Sequence, residues 1–246
     1  MGGGWGCGLR NRTAVLVLFY SSALFAQTVR VPFVGCASDG QTGPLEAPEG
    51  TDQLVQIKAS AAKRFAYYQA AVGSGVLAPR GWYCFGTYGS GGSQLLVTPQ
   101  PIRRAELYSV NFDGPAVEVE HVDGGTSGRF EVARVIARVF PAHRDFVQSV
   151  IDMFEGASDY KFAPYPKDKL IVQRDRLVRY QTAPHSEGLG TVSRLKANDD
   201  PIDGVAILEG PAPNLLMLQV RLPLKQRDLA PVIIQQLLLR ERSDTR

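Results

Sequence analysis

Apolar and polar positions alternate along this chain with two different periods, and each change of period marks an element. In residues 116–122, Val117 and Val119 alternate with Glu118 and Glu120, the two-residue repeat of a strand with one buried and one wet face. In residues 130–140, Phe130, Val132, Val135, Ile136 and Val139 recur instead at three- and four-residue steps, which predicts an amphipathic helix. Residues 124–129 (Gly-Gly-Thr-Ser-Gly-Arg) separate the two as a glycine-rich turn. Pro141 suits the first position of a second helix, expected to run to about Phe154 and to stop at Gly156.

Similar patterns extend to both ends. A strand is expected at residues 29–35, and residues 38–50 read as a loop rich in Gly, Pro and Asp. Leu54, Ile57, Ala61, Phe65 and Tyr68 predict a helix over residues 51–71, ended by Gly73 and Gly75. Residues 82–88 and 94–98 form two β-like runs joined by glycines at 89–92, a hairpin with a loose tip. Further strands are expected at 105–110, 170–179, 205–209 and 215–222. A last amphipathic helix follows at 229–240, with a polar, frayed tail from Glu241. Together these predict an α+β fold, a mixed or mostly antiparallel sheet with three to four amphipathic helices. A single domain over residues 27–246 is favoured over a two-lobe split near residue 113.

The amino-terminal stretch changes the picture. Arg10 and Arg12, with no acid nearby, precede the apolar run 13–26, a positive segment followed by a hydrophobic one. Ser21 and Ala23 give small residues for cleavage after Ala23, and Ala26 offers a second position. The run is shorter than the roughly 20 apolar residues of a spanning helix. Residues 1–26 therefore read as a cleaved export signal, leaving a periplasmic or secreted chain without a transmembrane anchor.

Cleavage removes two arginines and lowers the formal net charge from +3 to +1. No dense Lys/Arg cluster remains, which argues against nucleic acid as a partner. Cys7 leaves with the signal, and Cys36 and Cys84 are expected to pair in an oxidising compartment. Lipidation at Cys36, after the lipobox-like Gly35, is the alternative; Arg30 and Pro32 interrupt the apolar run it would need.

The run 78–91 (Ala-Pro-Arg-Gly-Trp-Tyr-Cys-Phe-Gly-Thr-Tyr-Gly-Ser-Gly) resembles a segment of uncharacterised exported bacterial proteins. Residues 124–133 and 186–191 (Ser-Glu-Gly-Leu-Gly-Thr) are similar to further segments of that group. The resemblance implies a bacterial envelope setting and carries over no catalytic residue.

Candidate chemistry concentrates in the 124–129 turn. A glycine turn feeding a helix start gathers free backbone N–H groups and the positive helix end, which attract an anion, and Arg129 would add a fork of donors. The plainer alternative is a helix start capped by Thr126 or Ser127. The same turn lies between strand and helix as a serine-hydrolase elbow does, with Asp168 or Asp175 and then His185 following in the order serine, acid, histidine. Arg129 stands where an elbow wants a small residue. The three histidines show no metal-ligand spacing, so neither a metal nor a cofactor is expected. Arg80 and Tyr88, in the aromatic hairpin around Cys84, are further candidates for ligand contact. The favoured expectation is a non-catalytic module that binds an envelope ligand or protein through Arg80, Tyr88, Ser127, Arg129 and His185. The alternative is a small serine hydrolase using Ser127, His185 and Asp168 or Asp175.

Overall fold

A computed structural model describes residues 1–3, 27–102, 112–154 and 159–244. Nearly all of the predicted signal, the predicted strand at 105–110 and the stop at Gly156 lie outside them. The strands are Gln27–Val31 (β1), Phe33–Cys36 (β2), Ser38–Gly40 (β3), Gln53–Ile57 (β4), Phe65–Ala70 (β5), Val76–Pro79 (β6), Tyr83–Gly89 (β7), Gly92–Thr98 (β8), Ala116–Val122 (β9), Asp168–Arg174 (β10), Leu177–Thr182 (β11), Ile202–Glu209 (β12) and Asn214–Arg221 (β13). The helices are Arg129–Val139 (α1), Arg144–Met153 (α2) and Ala230–Asp244 (α3). The fold is α+β, and the final helix runs four residues beyond its expected end.

Eight strands form the central sheet in the order β10, β11, β12, β13, β9, β8, β7, β3. All neighbours are antiparallel except β3, which lies parallel to β7. A second sheet joins β2, β5 and β6, and β1 pairs with β4. The middle of the large sheet is covered on both faces, which is why Leu215, Leu216, Met217 and Leu218 follow one another without polar alternation. One face, with Val119, Val205, Leu216, Leu218 and Val220, packs with the two smaller sheets and with Ile233, Ile234 and Leu237 of α3. The other, with Val122, Ala206, Leu208, Leu215 and Met217, receives Val132, Val135, Ile136 and Val139 of α1 and Val147 and Val150 of α2. Each such aliphatic side chain contributes about 2 kcal/mol on full burial. Phe130, the first member of the expected α1 stripe, stays exposed.

The helix expected at 51–71 is absent. In its place stand β4, a 3-10 turn at Ala59–Arg64, and β5. Leu54 is 60% exposed, while Val55 and Ile57 point inward with the two-residue period of a strand. Residues Phe65, Ala66, Tyr67 and Tyr68 are buried on both faces, so their order carries no period at all. Helix propensities differ by only tenths of a kcal/mol per residue, and pairing of β4 with β1 and of β5 with β2 and β6 overrides them. The single strand expected at 170–179 is a hairpin turning at Asp175 and Arg176.

Cys36, at the end of β2, is bonded to Cys84 in β7, which ties the three-stranded sheet to the central one. Their Cα atoms lie 5.4 Å apart, within the usual disulfide range. Lipidation would require removal of everything before Cys36, including all of β1 and most of β2. No helix among the described residues is long and apolar enough to cross a membrane.

Candidate functional site

The hairpin β7–β8 turns through Ser90 and Gly91, and its tip lies against the start of α1. The approach is close because both sides are glycine there: a Cβ on Gly128 would stand 2.5 Å from the Gly91 carbonyl oxygen and 2.7 Å from that of Asp123. Between tip and helix lies a groove of about 350 Å³, with Thr87, Tyr88, Gln94, Glu120, Ser127 and Glu131 among its walls. Two residues singled out from sequence, Tyr88 and Ser127, therefore meet at one site.

Their surroundings define what they can do. The Ser127 hydroxyl lies 3.3 Å from that of Ser90, which is no base. The Tyr88 hydroxyl donates to the Gly43 carbonyl at 2.5 Å and lies 2.8 Å from Thr42 Oγ1, so its ring is fixed as a wall of the groove. Arg129 turns away. Its guanidinium donates to the carbonyls of Gly125 and Thr126 at 2.7 and 2.6 Å and lies over Phe154. Arg80 sits in the turn before β7, at the end of that strand opposite the groove.

The turn's amides are also engaged. Gly125 N donates to Asp123 Oδ1 at 2.7 Å, Gly124 N to Asn214 Oδ1 at 3.0 Å, and Thr126 N to the Asp123 carbonyl at 3.4 Å. With these donors engaged by the chain itself and two carboxyl groups lining the groove, the turn favours the plain helix start over the anion site weighed against it. Gly128 rather than Thr126 or Ser127 holds the cap position, while Thr126 Oγ1 accepts a long bond from Gly128 N at 3.5 Å.

The hydrolase constellation is not assembled. Ser127 follows the Val122 end of β9, whereas His185 belongs to the Ala116 end. There its N–H donates to the Asn198 carbonyl at 2.8 Å, and Asn198 Nδ2 donates to Asp113 Oδ1 at 3.1 Å. The strand between these ends is about 20 Å long, beyond the reach of proton transfer. His185 pairs instead with Asp199 at 2.9 Å in solvent. Asp168 accepts bonds from Thr182 Oγ1 and Leu189 N, both at 2.7 Å, and so staples the loop after β11. Asp175 lies in the β10–β11 turn.

The residues missed from sequence are the acids beneath the groove. The polar face of β9 was expected to be wet, yet Glu118 is wholly buried and Glu120 lies partly beneath the groove. Loop residues Ser193 and Arg194 cover this face. Ser193 Oγ donates to Glu118 Oε1 at 3.0 Å, while Gln94 Nε2 donates to Glu120 Oε1 at 3.1 Å and to Ser193 Oγ at 2.6 Å. Arg194 donates to Gln94 Oε1 and to Thr87 Oγ1. The second oxygens of both glutamates are buried without a hydrogen-bond partner, as are both amide atoms of Gln219, the cross-strand neighbour of Glu118.

Burial pushes Glu118 up to about 7, against the Ser193 bond and the nearby Arg194 charge. Glu120 is raised well above the carboxylate range, first by burial and then by the charges of Glu131 and Glu118. Burial also raises Glu131, opposed by Arg134. Three carboxyl groups thus hold protons more tightly than free glutamates do. The available signal was a register of polar residues, since Gln94 lies opposite both Thr87 and Glu120 on one sheet face, with Gln219 opposite Glu118.

Among the described residues, no group of three or more His, Cys, Asp or Glu side chains is arranged to hold a metal ion. No protein-family model, no curated protein and no solved structure matches the chain.

Proposed function

We propose that the protein is an exported binding module of the cell envelope, periplasmic or secreted. Its ligand on this reading is a small polar molecule rich in hydrogen-bond donors, an amino sugar being the simplest that fits, held in the groove between the β7–β8 tip and α1. The observation that carries this reading is the convergence of acceptors on one cleft: the carboxyl groups of Glu120 and Glu131, the Gln94 amide, and the hydroxyls of Thr87 and Ser127. An ammonium group would offset the burial that keeps protons on Glu120 and Glu131 and pair with them as they ionise, hydroxyls would reach the amide and the serine, and the Tyr88 ring would cover an apolar sugar face. Export is supported by the leader-like start of the sequence and by the disulfide. The rival serine-hydrolase reading has no such convergence in its favour.

The test is a thermal-shift comparison of glucosamine, glucose and glucose 6-phosphate. Glucosamine is expected to raise the melting temperature most and the phosphate ester least, and Ser127→Trp, which fills the groove, is expected to abolish the shift. Stabilisation by the phosphate ester alone, or a glucosamine shift that survives Ser127→Trp, would overturn the reading.

A further inference from the structure

Behind the groove, the outer face of α1 and α2 has a different character. Phe130, Met153, Phe154 and Phe162 are all exposed there, at 37%, 59%, 37% and 43%. Phe130 and Phe154 meet edge to face with ring centroids 4.9 Å apart. Three arginines lie over aromatic rings on the same strip: Arg129 over Phe154 at 5.8 Å, Arg138 over Tyr165 at 4.0 Å and Arg144 over Phe162 at 5.4 Å. Beside them a cleft of about 350 Å³ is walled by Phe130, Arg134, Arg138, Tyr160, Lys161 and Tyr165, with Asp159 as its one acid. Asp145 and Asp152 are the acids of α2, and Asp152 accepts a bond from Gln148. Among the described residues of this strip, five cations accompany three acids.

We propose that this strip docks the protein peripherally on an anionic phospholipid surface, with the arginines and Lys161 at the phosphates and the exposed rings and Met153 at the headgroup boundary. Arginine and lysine supply the attraction to a negative surface, and exposed aromatic side chains next to them are the residues that settle at a membrane interface. Isolated phosphate ions would explain the cations but not the exposed phenylalanines and methionine. Charge complementarity together with these apolar tips therefore selects a lipid surface as the occupant. The strip is separate from the groove, and its failure would leave the ligand-binding reading untouched.

The experiment is co-sedimentation of the purified chain with vesicles of equal parts phosphatidylglycerol and phosphatidylcholine, and with phosphatidylcholine alone. Binding is expected only to the anionic vesicles and is expected to fall with added salt. The triple variant Arg134→Gln, Arg144→Gln, Lys161→Gln should weaken it on the order of a hundredfold, since each lost cation costs about fivefold. The pair Phe154→Ser and Phe162→Ser should weaken it about tenfold. All five positions are exposed or at the surface of the helices, and circular dichroism checks that the variants remain folded. Absence of binding to anionic vesicles, equal binding to neutral ones, or indifference to both sets of substitutions overturns the proposal. So does displacement from the vesicles by millimolar inorganic phosphate, or tighter binding to polyglutamate than to the vesicles.

Discussion

Replacing Glu118 with Gln tests the burial of the acids where it is most complete. The substitution keeps the shape of the side chain and keeps an oxygen for the Ser193 hydroxyl, but it removes the charge that burial opposes. With a folded value of about 7 against an ordinary value of 4.5, the native protein holds this proton where the unfolded chain has released it. Stability conferred by holding the proton is fully present below the unfolded value and declines as pH rises toward about 7, where the native state also ionises. The gap of roughly two and a half pKa units corresponds to about 3 kcal/mol over that window. Urea unfolding at about pH 4 and about pH 8 is the assay, with the variant's own change subtracted to cancel the carboxylates that do not interact with Glu118; the difference then reports Glu118 together with its effect on Glu120. Wild type should lose about 3 kcal/mol more than Glu118→Gln between the two. A difference below about 1 kcal/mol would mean that Glu118 is effectively solvated in the native state, and the account of the acids beneath the groove would fall with it.

Other outcomes are equally direct. Cys36→Ser with Cys84→Ser opens a loop with a sequence separation of 48 and should cost about 4 kcal/mol in urea unfolding under the chain-entropy account; no change would mean that the bridge constrains nothing. Arg221, wholly buried, donates to the carbonyls of Phe112, Gly114 and Lys196, so Arg221→Met should cost about 4 kcal/mol by stranding all three, with a loss below about 1 kcal/mol contradicting that role. Gly128→Ala places a methyl against two backbone oxygens that cannot swing away, and should cost about 2 kcal/mol while displacing the β7–β8 tip; tryptophan and tyrosine spectra identical to wild type with unchanged stability would contradict the contact. A fluorophosphonate probe should leave Ser127 unlabelled, because its hydroxyl partner is Ser90; stoichiometric labelling would restore the hydrolase reading.

The elements that could be read from the chain were those with one buried face. The apolar positions of α1 recur at helical spacing because only one side of that helix meets the sheet, and Val117 and Val119 point into the core of β9 as their alternation implied. The region 51–71 misled because β5 is covered on both faces, and because the Ala-rich turn at Ala59–Arg64 imitates helical spacing between two short strands. Tyr88 and Ser127 were legible as candidates because one is an aromatic at the strand end beside the glycine tip and the other lies in a glycine-rich turn. Glu118 and Glu120 were not, because an acid alternating with valines looks like the solvent side of a strand. What buries them comes from Gln94 on a neighbouring strand, from Glu131 on α1, and from Ser193 and Arg194 some seventy residues further along the chain. No local window contains that encounter.

Helix α3 touches the oldest part of the chain as well as the newest. Its Gln236 side chain receives the Gln56 amide across 180 residues of sequence, and its apolar positions share a core with Val31, Val55 and Leu77. The amino-terminal sheets consequently lack part of their cover unless α3 is docked. The amino-terminal strands thus depend for part of their burial on a segment almost two hundred residues away. Truncation at the carboxyl end would accordingly be felt first at the opposite terminus.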